Sequence, residues 1–336
     1  MAQKILVTGA SGFIAGHCIL DLLEHGYEVR GTVRDLKKAP ALKAMFAKYT
    51  DKADSIEFAQ ADLLSDAGWA EAAEGCDGLF HLASPVPLQQ PKNADEVIRP
   101  AVEGALNALK AAKNAGIKRV VLTSSIAAVM FGHKEKHRVF TEADWTNADV
   151  TDVAYYKSKT LAEKAAWDFV EGTDIQLSTV LPGLVLGPAL ESDYGTSLQL
   201  IVEMLKGKYP VVPQIGFEAV DVRDIASLHR LAYESPEAVG KRFIGTNGWV
   251  MFKEVAQILK DAYPKSKVSN FELPVFLSNV LSYVVKDMEM VKGEGGKTKK
   301  ADNSAAMSLG WQPHSVEDSV LSGAESLIRL GVVKGA

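Results

Sequence analysis

The sequence predicts an α/β protein built on a doubly wound parallel sheet, with a smaller α+β region at its C-terminal end. Three observations predict it. Short apolar runs alternate with amphipathic stretches through the first half of the chain; a glycine turn, Thr8-Gly9-Ala10-Ser11-Gly12-Phe13-Ile14-Ala15, follows the apolar run Ile5-Leu6-Val7; and Tyr155 stands four residues before Lys159. Apolar strands separated by helices form a parallel sheet covered on both faces. A glycine turn between a buried strand and a helix start is a pyrophosphate cradle, because backbone N–H groups and the positive helix end converge where side chains would block approach. That combination defines a Rossmann-type dinucleotide-binding architecture, with its ligand at the carboxyl ends of the strands.

Taken in order, strands are predicted at residues 4–8, 28–33, 56–59, 78–83, 119–123 and 176–181, with helices at 15–25 and 99–114 among the intervening amphipathic stretches. Pro182-Gly183 ends the sixth strand and Gly187-Pro188 breaks the chain again. The expected division is therefore a dinucleotide-binding domain over 1–188 and a smaller substrate-binding domain over 189–336, with some exchange of strands and helices between them. In the second part, strands at 217–220 and 242–246 flank a helix at 222–233, and another helix covers 252–262. Residues 274–287 are mostly apolar but too few to cross a bilayer, so they are expected to cover the substrate cleft or meet a partner subunit. The lysines of 292–300, interleaved with glycine and threonine, read as a solvated loop.

Composition narrows the function classes. Of 336 residues, 47% are hydrophobic and 24% charged, which is the balance of a globular protein rather than a disordered or membrane one. A net charge of -5 argues against nucleic acid as partner while leaving room for local positive potential at a phosphate site. Cys18 and Cys76 are too few for a disulfide framework and lack metal-ligand spacing, so no metal is expected. The first strand begins within a few residues of Met1, which leaves no room for a secretory signal, and the expectation is a reduced cytoplasmic protein, monomeric or homodimeric, without membrane attachment.

The Tyr155/Lys159 pair carries the chemistry. Four residues apart on a helix, they share one face, close enough for the ammonium to lower the phenol pKa and make a proton donor. With a dinucleotide cradle, this suggests hydride transfer from a nicotinamide and proton transfer from tyrosine.

Seven blocks in order extend the pattern. They are Val7–Ala15, Thr32-Val33-Arg34-Asp35, Ala61-Asp62-Leu63, Phe80-His81-Leu82-Ala83-Ser84-Pro85, Leu122-Thr123-Ser124-Ser125, Tyr155 through Glu163, and Leu181-Pro182-Gly183-Leu184-Val185-Leu186-Gly187-Pro188. Over most of its length the chain resembles the extended short-chain dehydrogenase/reductases, in the branch holding dihydroflavonol 4-reductases, cinnamoyl-CoA reductases and fungal methylglyoxal or ketone reductases.

The resemblance implies NADP(H) as cofactor and a set of residues around it. Thr8, Gly9, Ser11, Gly12, Phe13 and Ile14 form the cradle. Arg34 ends the second strand where an acidic residue would grip the ribose 2′-hydroxyl of NAD, and with Lys38 it suits a 2′-phosphate instead. Asp62 and Leu63 would clamp the adenine; Ala83, Ser84 and Thr123 would run beside the nicotinamide ribose and phosphates; Pro182, Gly183 and Val185 would face the carboxamide. Ser125, Tyr155 and Lys159 are the implied catalytic trio: Ser125 holding the carbonyl oxygen, Tyr155 giving it a proton, Lys159 tuning the phenol and binding the ribose. Ser124 is adjacent, and strand alternation lets only one of the two serines face the substrate. His81 reads as a core histidine, and Arg223 with Asp224 as a tie between domains at a helix start.

Two departures shape the substrate expectation. Residues 152–159, Asp-Val-Ala-Tyr-Tyr-Lys-Ser-Lys, lack the Trp and Cys of the cinnamoyl-CoA reductase block, and 126–131, Ile-Ala-Ala-Val-Met-Phe, lack the Asn that reads flavonoid hydroxyls. An apolar wall over 126–131, with Phe131 in the pocket and 274–285 opposite, points to broad reduction of aldehydes and ketones to alcohols by a carbonyl reductase. The alternatives are a nucleotide-sugar epimerase or dehydratase retaining NAD, which Arg34 opposes, and a non-catalytic NADP-binding protein, which the Tyr/Lys pair opposes.

Overall fold

The computed structural model describes residues 2–87, 90–281 and 294–334. In chain order its elements are β1 (Lys4–Val7), α1 (Phe13–Glu24), β2 (Glu28–Val33), α2 (Ala39–Phe46), β3 (Glu57–Gln60), α3 (Trp69–Ala73), β4 (Gly78–His81), α4 (Asp95–Ala115), β5 (Arg119–Thr123) and β6 (His137–Phe140). Then come α5 (Ala154–Val170), β7 (Gln176–Pro182), β8 (Leu184–Leu186), α6 (Gln199–Leu205), β9 (Gly216–Asp221), α7 (Val222–Glu234) and β10 (Arg242–Gly245). The remainder is β11 (Trp249–Met251), α8 (Phe252–Ala262), α9 (Val275–Leu281), β12 (Thr298–Ala301), α10 (Ser304–Ser308) and α11 (Val316–Arg329).

Seven strands make the main sheet in the order β10-β7-β5-β4-β1-β2-β3, every neighbouring pair parallel. The doubly wound fold class holds. Both faces of the central strands are covered: Ile5 and Val7 of β1 enter the core under α1 and α7, while Leu6 between them enters the core under α4. Chain order reverses between β1 and β4, so the crevice at their carboxyl ends is where a ligand of this architecture binds. A smaller sheet, β11-β9-β8, packs with α6, α8 and α11 around a third core.

One described segment departs from the sequence expectation. Residues 298–301 are not a solvated loop; they form β12, paired in parallel with β6, and Lys299 is buried. A Thr-Lys-Lys-Ala strand has no apolar alternation to betray it, and its backbone pairing partner lies far away in sequence. The strand expected at 242–246 forms as β10 and, in an exchange of the kind expected between the two parts, completes the edge of the main sheet beside β7, while α7 packs against α1. Of the apolar stretch 274–287, residues 282–287 lie outside the described residues; on α9, Phe276, Leu277 and Val280 are exposed. Among the described residues, no helix is long and apolar enough to cross a membrane.

Candidate active site

At the switch point the chain leaves β1 through Thr8 and turns at Gly9, whose φ of 70° lies in the left-handed region. A Cβ there would also stand 3.1 Å from that of Ala83, so the turn and the strand end after β4 touch. Gly12 caps α1 with no side chain contributing, and the amides of Phe13 and Ile14 fall in the first turn, where a helix offers no internal acceptor. Ser11 is exposed and Ser84 half-buried at the same mouth. Thr8 holds the two loops together: its hydroxyl oxygen accepts from the N–H groups of Leu82 (2.9 Å) and Ala83 (3.0 Å), leaving its proton for His81 Nδ1 at 3.1 Å. His81 is accordingly a core residue, held neutral by burial, first, and by the nearby Lys159, which together bring it down to about 3.

Arg34 and Lys38 are exposed beyond the end of β2, and among the described residues the Arg34 guanidinium has no partner. The Arg34 carbonyl accepts from Gln60 (3.0 Å), which fixes the backbone while leaving the side chain free to meet an anion. Asp62 caps its own turn, Oδ1 accepting from Leu64 N–H at 2.8 Å, and Leu63 packs so closely on Gly104 of α4 that a Cβ there would lie 2.4 Å from Leu63 Cδ2. Both stand at the carboxyl end of β3.

The chemistry-bearing side chains come together where β5 and α5 meet. The Ser125 hydroxyl lies near enough to the Tyr155 phenol to favour its ionised form, and Ser125 Oγ accepts from Ala127 N–H at 3.1 Å. Ser124 turns the other way and donates to buried Glu163 at 2.6 Å, so alternation separates the serines and Ser125 faces the tyrosine. Burial pushes the Tyr155 phenol up, with the Ser125 hydroxyl opposing. The expectation that Lys159 lowers this phenol is corrected: in a site stripped of water, desolvation of the phenolate is the larger effect. Lys159 is 6% exposed, its ammonium meets no hydrogen-bond acceptor among the described residues, and burial brings it down to about 8. A buried ammonium without a hydrogen-bond acceptor among the described residues, a helix start with free amides and an exposed arginine are the donor set a phosphorylated dinucleotide needs, so the residues fit the cofactor that the architecture implies.

Other predicted residues are placed less directly. Thr123 is buried and gives its hydroxyl proton to His229 Nε2 at 2.7 Å, because His229 Nδ1–H is used on the Ile225 carbonyl. Pro182 ends β7; Gly183 is pressed against β9, where a Cβ would lie 2.3 Å from the Glu218 carbonyl; the Val185 side chain belongs to the main core. Asp221, rather than the pair after it, caps α7 through Arg223 N–H and binds the Arg223 guanidinium at two points of 2.8 Å. Asp224 reaches the C-terminal segment, accepting from His314 N–H at 2.7 Å. The apolar run 126–131 is mainly core: Ala127, Ala128, Val129 and Met130 are buried, and Phe131 lies on Tyr156.

Sequence reasoning missed the hub beside the trio. Glu163 is fully buried and accepts from Ser124, Thr179 (2.9 Å), Trp167 (3.3 Å) and Arg242 (2.7 and 3.1 Å), while Arg242 lies 3.8 Å over the Trp145 ring. Its position four residues past Lys159, on the same helix face, was the available signal.

With this geometry in place, comparison with known proteins is informative. The model of the NAD dependent epimerase/dehydratase family matches residues 5–244. Cinnamoyl-CoA reductase CAD2 of Medicago truncatula is 37% identical over 270 residues, covering 79% of this chain and 82% of that protein. Dihydroflavonol 4-reductase of Gerbera hybrida is 35% identical over 274 residues, with coverage of 78% and 73%. The crystal structure of yeast methylglyoxal/isovaleraldehyde reductase Gre2 complexed with NADPH superposes with a TM-score of 0.79 at 26% identity, covering 98% of this chain and 100% of that one.

Proposed function

The chain belongs to the NAD dependent epimerase/dehydratase family, and from that premise we propose that it is an NADPH-dependent carbonyl reductase that converts aldehydes and ketones to alcohols. One observation carries this reading: the half-buried Tyr155 phenol stands beside the Ser125 hydroxyl, with buried Lys159 one turn further along the same helix. The amides of Phe13 and Ile14, with Gly9, Gly12, Ser11 and Thr8 shaping the turn, hold the pyrophosphate, and Arg34 with Lys38 holds a 2′-phosphate. Asp62 and Leu63 take the adenine end; Ala83, Ser84, Thr123, Pro182, Gly183 and Val185 form the walls toward the nicotinamide. The bound cofactor supplies hydride to the carbonyl carbon.

This chain's own groups manage the oxygen. Ser125 donates a hydrogen bond to it, and Tyr155, whose raised pKa keeps it protonated at neutral pH, gives it the proton. The Lys159 ammonium then stabilises the phenolate left behind and anchors the ribose. Residues 189–336, apart from α7 and β10, furnish the substrate side of the cleft. The missing Trp and Cys near Tyr155 favour free carbonyl compounds over CoA thioesters.

The experiment is NADPH oxidation over a panel of small aldehydes, diketones, β-keto esters, dihydroflavonols and cinnamoyl-CoA, with a nucleotide sugar as control. Turnover of free aldehydes or ketones, lost in Tyr155→Phe, supports the reading. Conversion of the nucleotide sugar alone overturns it.

A further inference from the structure

We propose that Glu163 is a positioning residue for the reacting group, fixing the Ser125 side through Ser124 and holding a negative charge one helical turn beyond the Lys159 ammonium. This deepens the reductase reading and rests on it. Tyr155, Lys159 and Glu163 follow one another at four-residue intervals on α5, so they form a single stripe facing the carboxyl end of the sheet. The donors around Glu163 come from separate elements: Ser124 after β5, Thr179 in the middle of β7, Arg242 at the start of β10 and Trp167 on its own helix. A carboxylate accepts about four such bonds, so the hub is saturated. Ser124 is thus held both by this 2.6 Å charge-assisted bond and by its N–H on the Val180 carbonyl at 2.8 Å, which fixes the chain immediately before Ser125.

The charges facing Lys159 are few. Glu163 favours its ammonium, while burial disfavours it and His81 stays neutral. Arg242 lies across Glu163, and its remaining donors go to the carbonyls of Glu142 (2.5 Å) and Asp144 (2.8 Å), so the pair presents its carboxylate toward the helix stripe. A purely structural anchor would hold the strands together without altering the titration of a neighbour.

The test uses the full chain without cofactor and Glu163→Gln, reading the Lys159 titration from its 13Cε resonance in lysine-labelled protein, assigned with Lys159→Arg. The expected result is a Lys159 midpoint about one pH unit lower in Glu163→Gln, the size of one nearby opposite charge. A folded variant with an unchanged midpoint overturns the proposal. This readout needs no turnover, so it stands apart from the reductase assignment, which fails instead if Tyr155→Phe is fully active. Glu163→Gln leaves Arg242 buried without its counter-ion and risks misfolding. Ser124→Ala keeps that ion pair and supplies the second arm: kcat at least fivefold lower with KM for NADPH and Tm near the parent values. Parental kcat in Ser124→Ala likewise overturns the proposal.

Discussion

Phe131 and Tyr156 stack face to face, their ring centroids 3.6 Å apart and their planes 14° from parallel. Lys299 Nζ lies 4.7 Å from the Phe131 centroid and is paired with Glu294 at 2.6 Å. Phe131 is thus a joint between the start of α5 and β12, one residue from Tyr155, rather than the bare pocket wall its apolar neighbourhood suggests. Phe131→Ala should cost about 2 kcal/mol in urea unfolding, less than the ~3–5 of a fully buried ring. It should also lower kcat alike for a bulky aryl ketone and a small aliphatic one. A changed ranking between them would put the ring in the cleft after all.

Tyr155→Phe keeps the ring and removes the proton. Turnover of the best carbonyl substrate should fall by about 10²–10⁴, the range for losing general acid catalysis, while NADPH binding measured by fluorescence stays within twofold or so.

Coenzyme choice should follow the exposed cations. With Arg34 and Lys38 free to meet a 2′-phosphate, kcat/KM for NADPH is expected to exceed that for NADH by about tenfold or more, roughly 1.4 kcal/mol from charge-assisted contacts. Arg34→Asp should erase or invert the preference. Equal efficiency in the parent chain would remove Arg34 from the phosphate site.

Lys159 gives the pH dependence. Its ammonium is brought down to about 8, so it is charged below that pH and neutral above. Reductive kcat/KM, which reports the free enzyme, should therefore decline above about pH 8 with unit slope. Linkage runs the opposite way for folding: between about 8 and the ordinary 10.5 the unfolded chain binds more protons, so burying this lysine destabilises below that window and the cost fades as pH rises through it. Lys159→Arg, charged throughout, should flatten the alkaline limb in a stopped-flow pH series.

What could be read beforehand was local in the chain. The glycine turn lies within eight residues of β1, the Tyr155/Lys159 spacing is one helical turn, and the main-sheet strands betray themselves by short runs of buried apolar residues, with ends misjudged by one or two residues. The choice between Ser124 and Ser125 needed the partner 39 residues away that claims Ser124. Pairing of His137–Phe140 with Thr298–Ala301 was illegible because the strands are short, Thr298–Ala301 has no apolar alternation, and the partners lie about 160 positions apart. The Glu163 hub escaped for a related reason: a lone Glu on a helix resembles a solvated residue until Arg242, 79 positions later, is brought against it.

Because that counter-charge sits on β10, the sheet is finished by a strand that leaves the ribosome more than fifty residues after β7. A nascent chain halted at residue 188 already contains β1 to β5, β7 and α5, yet its carboxylate at position 163 has no cation to meet, a defect of about 3–5 kcal/mol when one partner of a buried pair is missing. The native surroundings of Glu163 are therefore complete only once the second half of the chain has been made. On the same ground a fragment ending at residue 188 is expected to gain stability when β10 is supplied with it.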